Sequence, residues 1–301
     1  MKHQGRRKFV KDLSLFSITT SILPLHSCVA FSNSIRFGLA TDTHYAQRTP
    51  VGTRFYKGAL AKMQDFINVM NAAKVDFVMH LGDLKDESKQ GKSEETLGFL
   101  RQVEKVYAGF SGPRYHCVGN HDVDSIRKEQ FLVNIENTGI SNKESYYSFN
   151  SKGFHFIVLD ANYDQNGANH YFKEGADWQD TNITPEQMGW LQQDLAQNEY
   201  PVLVFCHHPL FEYFRDGHKY HVNNYQAVQE VLEKDQKTIA VFQGHVHEER
   251  FKKINGIHYI TQLGMVDYEG ISNNSFAVVE IGKDKIILEG YKRSSSVEKE
   301  F

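Results

Sequence analysis

Short apolar runs alternate with segments of helical periodicity from about residue 35 to residue 250. Leu60, Met63, Ile67 and Met70 recur at helical spacing, which predicts a helix over residues 56–73. Apolar residues between 97 and 106 predict a second helix in the same way. Strands are predicted where the apolar runs are shorter, at residues 35–40, 76–81, 115–118, 156–159, 202–206 and 239–242. This alternation is typical of an α/β domain.

Local signals add a hairpin and a helix start to this pattern. Phe149 and Phe154 flank a turn cluster at residues 150–153, which predicts a hairpin leading into the strand at 156–159. Thr184, Pro185 and Gln187 are the residue types of an N-cap, a first-turn proline and a capping-box partner, so a helix is predicted to begin there. Runs at 258–260, 276–281 and 286–288 predict hairpin strands that close a second sheet.

Size and composition indicate one large globular domain. The chain has 301 residues, of which 40% are apolar and 24% are charged, and this material suffices for a buried core. The net charge of -3 provides no basic field for nucleic acid, so no nucleic-acid partner is expected. Three cysteines are too few for a disulfide framework, and Cys117 and Cys206 are interpreted as small buried residues rather than as a bridge.

The amino terminus resembles a targeting segment. Arg6 and Arg7 precede an apolar stretch at 13–25 that is too short to span a membrane comfortably, so residues 1–27 are predicted to be a signal peptide of the twin-arginine type. The alternative is a basic cytosolic tail. Residues 25–28 resemble a lipobox, so lipid on Cys28 is expected to be the one membrane contact of a protein exported to the periplasm or cell envelope. A linker at 28–34, a domain at 35–293 and a polar tail at 294–301 complete the predicted organisation.

Five of the predicted strands are followed by side chains that bind metal. These side chains are Asp42, His44, Asp83, Asn120, His207, His245 and His247. Loops beyond the carboxyl ends of strands form the ligand crevice of α/β sheets, so the five loops are expected to converge on one site. Oxygen and imidazole ligands suit Mn, Fe or Zn, and seven ligands are natural for two ions. Two such ions can activate a hydroxide for in-line displacement at phosphorus, and they also provide the local attraction for a phosphate-bearing substrate.

The five motifs, from Asp42-Thr-His44 through Gly244-His-Val-His247, resemble the blocks of calcineurin-like metallophosphoesterases in family order. The resemblance spans residues 35 to 250 and implies a four-layered αββα sandwich with two mixed sheets. It also implies that one metal is held by Asp42, His44 and His247, and the other by Asn120, His207 and His245, with Asp83 bridging them. The two ions would be divalent or of mixed valence.

The resemblance also implies roles for two neighbouring residues. His121 would face the substrate and protonate the leaving oxygen, and Asp122 would orient the His121 imidazole. A hydrogen-bonded turn is the structural alternative for both residues. Purple acid phosphatases have a metal-binding tyrosine where this chain has Asp86, so their tyrosinate colour is not expected here.

Three other histidine-containing features are left as alternatives. His208 is the rival of His207 as a ligand, and His80, His116 and His155 are interpreted as core or sheet residues. The loop at residues 215–221 either contacts the substrate or lies in solvent.

The predicted function is metal-dependent hydrolysis of a phosphate monoester, diester or diphosphate in a small molecule. The stretch at residues 49–85 is loosely similar to Mn-dependent ADP-ribose and CDP-alcohol diphosphatases. The alternative is a member of the fold that binds metal without catalysis. A chromogenic phosphoester assay with added Mn²⁺ separates the two.

Overall fold

The computed structural model describes residues 34–301. In this part of the chain the strands are β1 (Ile35–Ala40), β2 (Phe77–His80), β3 (Arg114–His116), β4 (Tyr147–Ser151), β5 (Phe154–Leu159), β6 (Val202–Cys206), β7 (Phe214–Arg215), β8 (His218–Lys219), β9 (Thr238–Gln243), β10 (Arg250–Ile254), β11 (Ile257–Thr261), β12 (Ser275–Ile281), β13 (Lys285–Lys292) and β14 (Val297–Glu300). The α-helices are α1 (Ala59–Ala73), α2 (Ser93–Tyr107), α3 (Lys128–Leu132), α4 (Pro185–Gln197) and α5 (Tyr225–Asp235).

Two mixed six-stranded sheets form the centre of the domain. The first has the order β14-β13-β12-β1-β2-β3, with β1, β2 and β3 parallel. The second has the order β10-β11-β9-β6-β5-β4, with β5, β6, β9 and β11 parallel. Since the parallel strands of each sheet share a direction, their carboxyl ends open on one edge, where the metal-binding motifs follow.

An aromatic core lies between the two sheets. Phe37 and Phe77 of the first sheet stack with ring centroids 4.9 Å apart, and Phe37 meets Phe156 of the second sheet edge-on at 6.0 Å. Phe156 in turn stacks on Phe205. All four rings are buried, and burial of each side chain contributes roughly 1.5–3 kcal/mol to stability. This packing fixes the two sheets face to face and so brings their carboxyl edges together.

Helices cover the outer face of each sheet. Apolar side chains of α1 and α2, such as Met63 and Leu100, pack with Val78 of the first sheet. Those of α4 and α5, such as Leu191, pack with Val204 of the second sheet. The predicted four-layered αββα sandwich is therefore confirmed.

The structure differs from the sequence prediction at the carboxyl-terminal segment and at the start of α4, among other places. Residues 294–301 are not a tail outside the domain, because Val297–Glu300 form β14 and pair with β13. The capping box at the start of α4 is half correct. Thr184 accepts a hydrogen bond from the Gln187 backbone N–H as predicted, but the Gln187 side chain bonds both backbone groups of Asp160.

The structure tests the prediction for two of the cysteines but not the prediction of a signal peptide. Cys117 and Cys206 are buried free thiols, as predicted. No helix within residues 34–301 is long and apolar enough to cross a membrane. The predicted signal peptide and Cys28 lie outside the described residues.

Candidate metal centre

The structure brings all seven predicted ligands to one point between the carboxyl edges of the two sheets. Six of the seven are buried, and the His247 side chain is 10% exposed. His44 Nε2 lies 3.2 Å from His247 Nε2 and 3.6 Å from Asp42 Oδ1. His44 Nε2 and His207 Nε2 lie 3.4 and 3.2 Å from the same oxygen of Asp83. The Asp83 carboxylate therefore stands between the two ligand groups, as a bridging ligand must.

Several ligand atoms are buried without a hydrogen bond. Among the described residues, Asp42 Oδ1, Asn120 Oδ1, His207 Nε2 and His245 Nε2 neither donate nor accept one. A buried polar atom left in this state costs roughly 1–3 kcal/mol, so such atoms are rarely found together in a folded core. Two carboxylates, an amide oxygen and four imidazoles form a donor set for borderline divalent ions. The residues present therefore fit the two-ion centre that the sequence predicts.

The backbone around the ligands is strained. Asp42, His44, Asp83, His245 and His247 have φ angles of 52°, 45°, 56°, 69° and 53°. This left-handed region is unfavourable for residues with a Cβ and costs on the order of 1–3 kcal/mol at each position. Strain of this kind persists where the surrounding structure enforces it and clusters at functional sites. The turns direct five separate side chains inward from the ends of the strands.

Hydrogen bonds and close packing between the loops enforce these turns. The His44 N–H donates to the Asp83 carbonyl at 2.9 Å, and the His245 N–H donates to Asp42 Oδ2 at 3.0 Å. Gly119 passes so close to the next loop that a Cβ there would lie 2.2 Å from Asp83 Oδ1. Glycine is required at Gly119 because the loop carrying Asn120 touches the loop carrying Asp83.

Three of the four predicted ligand imidazoles have their Nδ1 atom in contact with another polar group. His247 Nδ1 lies 2.8 Å from Asp267 Oδ2, and His44 Nδ1 lies 3.2 Å from Asp86 Oδ2. His207 Nδ1 donates to the Leu81 carbonyl at 2.8 Å. In each ring the second nitrogen is thereby fixed and Nε2 faces the centre, which is the usual arrangement of metal-ligating histidine.

The charges of the centre depend on one another. Burial alone would raise the pKa of Asp83, but the imidazoles of His207, His121 and His44 hold it well below its ordinary value. Burial alone would lower the pKa of His207, but the Asp83 carboxylate raises it to about 9. The Asp83 carboxylate therefore depends on the positive charge beside it to stay ionised in the interior.

His121 lies at the surface of the centre with its side chain 28% exposed. Its Nδ1 is 3.4 Å from Asp86 Oδ2 and 3.7 Å from Asp124 Oδ2. Burial would lower the pKa of His121, but Asp86 and Asp83 raise it. The imidazole thus faces the open side of the site with a carboxylate to orient it, as a residue that donates a proton to substrate requires.

The predicted role of Asp122 is wrong in its detail. The buried Asp122 carboxylate accepts hydrogen bonds from the backbone N–H groups of Gly119, Asp83 and Leu84 at 2.8–2.9 Å. Both carboxylate oxygens of Asp122 thus accept hydrogen bonds from the backbone of the two ligand loops. The carboxylates that lie beside the His121 ring are those of Asp86 and Asp124. Asp122 is a positioning residue, because it ties the Asp83 loop to the Asn120 loop.

The structure also places the other histidines. His207 Nε2 faces Asp83, which supports its place in the ligand set, while His208 is buried with neither ring nitrogen hydrogen-bonded within the described chain. His208 lies within ligand distance of His207 and His245, so it adjoins the same ion position. The prediction for His80, His116 and His155 is confirmed, because all three are buried and their ring nitrogens bond Thr43, Glu104 and Asp194, among others.

A cavity of about 590 Å³ opens above the ligands, within the usual size range of small-molecule sites. Arg48, Arg54 and Lys173 line it near His121, and Trp178 and Tyr220 line it near His245. Most of the loop at 215–221 forms the hairpin of β7 and β8, and Tyr220 is the member of this loop that reaches the cavity.

Fold and site together define a metal-dependent hydrolase. Residues 35–249 match the family model of the calcineurin-like phosphoesterases, and the chain belongs to this family. It is a metallophosphoesterase, and members of the family depend on two metal ions.

Known relatives support this assignment. The chain is 22% identical over 303 residues to a manganese-dependent ADP-ribose/CDP-alcohol diphosphatase of Oryza sativa, with 87% of this chain and 92% of the relative covered. A solved dimetal phosphatase from Danio rerio superposes with a TM-score of 0.74 at 20% identity, covering 88% of this chain and 98% of that one. A purple acid phosphatase from Lupinus luteus superposes with a TM-score of 0.62 at 16% identity, covering 89% and 53%.

Proposed function

We propose that the protein hydrolyses a phosphodiester or diphosphate bond in a small phosphorylated molecule. The observation that carries this proposal is a cavity lined by both His121 and His245, whose lining also includes Arg54 and Lys173 as well as Trp178 and Tyr220. A monoester needs space on one side of phosphorus, whereas a diester or diphosphate needs space on both sides. The name of the Oryza sativa relative, a diphosphatase, agrees with the second case.

The residues of the chain have separate tasks in this reaction. When bound, two divalent ions supply Lewis acidity at the phosphoryl oxygens and a hydroxide nucleophile near neutral pH. The seven ligands fix the positions of these ions, and His121 delivers a proton to the leaving oxygen. Arg54 and Lys173, which form no ion pair within the described residues, attract the anionic substrate. Mn²⁺ is the ion we propose first, because the Oryza sativa relative is named for it.

A substrate panel with added Mn²⁺ tests this proposal. We expect turnover of bis-p-nitrophenyl phosphate and of a nucleotide diphosphate such as ADP-ribose, with slower release of phosphate from p-nitrophenyl phosphate. Product analysis identifies which bond is broken. A protein that has bound its metal and is inert on the whole panel would favour the alternative of a non-catalytic metal-binding member.

We also propose that the protein works in the cell envelope and carries lipid on Cys28. The proposal rests on the paired Arg6 and Arg7, the apolar stretch that follows them and the lipobox-like residues 25–28. We expect mass spectrometry of the membrane fraction to find a mature chain that begins at a modified Cys28. An unmodified Cys28 or an uncleaved amino terminus would refute it.

A further inference from the structure

Two aromatic side chains outside the ligand set form a wall beside His245. The ring centroid of Trp178 lies 5.2 Å from that of Tyr220 and 5.9 Å from that of His245, and Tyr220 lies 5.3 Å from His245. Both side chains line the cavity and are half-buried. A group bound against Trp178 would therefore lie next to His245, one of the predicted ligands. Neither residue has a part in the hydrolysis itself.

The wall is held in place by hydrogen bonds on both sides. Gln179, next to Trp178, accepts a hydrogen bond from the Lys219 backbone N–H at 2.9 Å. The Asn223 side chain donates to Asp180 at 2.8 Å, and the Asn223 backbone N–H donates to the Thr181 carbonyl at 2.8 Å. These bonds join the loop that carries Trp178 to the segment that carries Tyr220. A surface fixed in this way needs little ordering when a ligand binds.

The surroundings of the Trp178 and Tyr220 rings indicate which kind of group can bind against them. The rings around Trp178 meet it at 48° to 61°, so none of them stacks on the indole. The Arg215 guanidinium carbon lies 4.7 Å over the Tyr220 ring, and Lys173 lines the same cavity. The guanidinium beside Tyr220 disfavours a cationic group against this wall, and an indole on which no other ring stacks suits a flat ring.

We propose that Trp178 and Tyr220 form a stacking site for a nucleobase carried by the substrate. The proposal rests on the proposed hydrolase function and names its substrate class: a phosphodiester or diphosphate with a nucleoside on one side. The base lies on the indole of Trp178, with the ring of Tyr220 at its edge. The rest of the substrate extends across the ligand cluster toward Arg54 and Lys173. Base–aromatic stacking accepts any base, so the site selects for a base without fixing which one.

Tryptophan fluorescence tests the contact without any turnover. The chain has two tryptophans, and Trp190 lies on α4 against Tyr146. In the Trp190→Phe variant, Trp178 is the sole indole. We expect AMP to quench its emission saturably in the Mn²⁺-loaded protein, and ribose 5-phosphate to leave it unchanged. Absence of quenching by AMP, or equal quenching by both compounds, would overturn the proposal.

Calorimetric binding measurements give the size of the effect. Trp178→Ala should raise the dissociation constant of AMP about tenfold or more, the range of base–aromatic stacking, and leave that of ribose 5-phosphate within about twofold. Trp178→Phe keeps a ring and should restore most of the AMP affinity, while Trp190→Phe is the matched control. Equal weakening of both ligands, or no weakening of AMP, would refute the stacking site. If the protein binds AMP selectively but turns over nothing on the substrate panel, the proposed hydrolase function is refuted and the stacking site is retained.

Discussion

Replacement of His121 by asparagine should lower turnover about 10²–10⁴-fold and leave the amount of bound metal unchanged. The imidazole lies on the open side of the centre beside Asp86 and Asp124, where it can deliver a proton to the leaving oxygen. The seven predicted ligands, by contrast, lie beneath it. Steady-state kinetics and elemental analysis of the same preparation measure both quantities.

The identity of the leaving group provides an internal control for His121. A p-nitrophenolate leaves without protonation, whereas an alkoxide or sugar oxygen requires a proton. The His121→Asn variant should therefore lose more activity on a substrate with a poor leaving group than on bis-p-nitrophenyl phosphate. Loss of metal in the variant would identify His121 as a ligand. An equal loss of activity on both substrates would refute its role as the general acid.

Replacement of Asp267 by asparagine should weaken Mn²⁺ binding about 10–100-fold, the usual effect of losing the partner of a ligating histidine. Asp267 bonds His247 Nδ1 and accepts a hydrogen bond from Thr53 at 2.8 Å. The buried Lys62 ammonium fixes the same segment by donating to the carbonyl oxygens of Met265 and Asp267. His247 should lose its fixed orientation when the carboxylate is lost. Titration of the metal-free protein with Mn²⁺ measures the change.

Asp284→Asn is the matched control, because Asp284 is exposed in the turn between β12 and β13, away from the ligand loops. It should bind Mn²⁺ like the unchanged protein. If Asp267→Asn also binds normally, the orienting role of Asp267 is refuted. Equal weakening in both variants would show a general loss of charge instead.

The convergence of the seven predicted ligands could be predicted from sequence because each of them directly follows an apolar run of strand length. The run at 35–40 predicts β1, and Asp42 and His44 come next; the run at 239–242 predicts β9, and His245 and His247 follow it. Periodicity places these residues at strand ends, and the shared direction of parallel strands brings the ends together.

Features that depend on side-chain direction were not accessible. Asp122 adjoins His121 in the chain, but its carboxylate turns to the backbone of the neighbouring loops, and spacing carries no information about that choice. Asp267 follows the strand predicted at 258–260, but that strand was predicted as part of a hairpin, and only its parallel pairing with β9 places Asp267 at the ligand edge. Trp178 lies in a long connection without periodicity, and only the fold brings it to His245. The strain at the ligands is likewise invisible in sequence.

The central claim is that seven side chains from five loops hold two ions with Asp83 between them. A crystal of the Mn²⁺-loaded protein, measured for anomalous scattering at the manganese edge, tests it most directly. Two anomalous peaks are predicted, one against Asp42, His44 and His247 and the other against Asn120, His207 and His245, with Asp83 in contact with both. A single peak, or peaks away from Asp83, would contradict it.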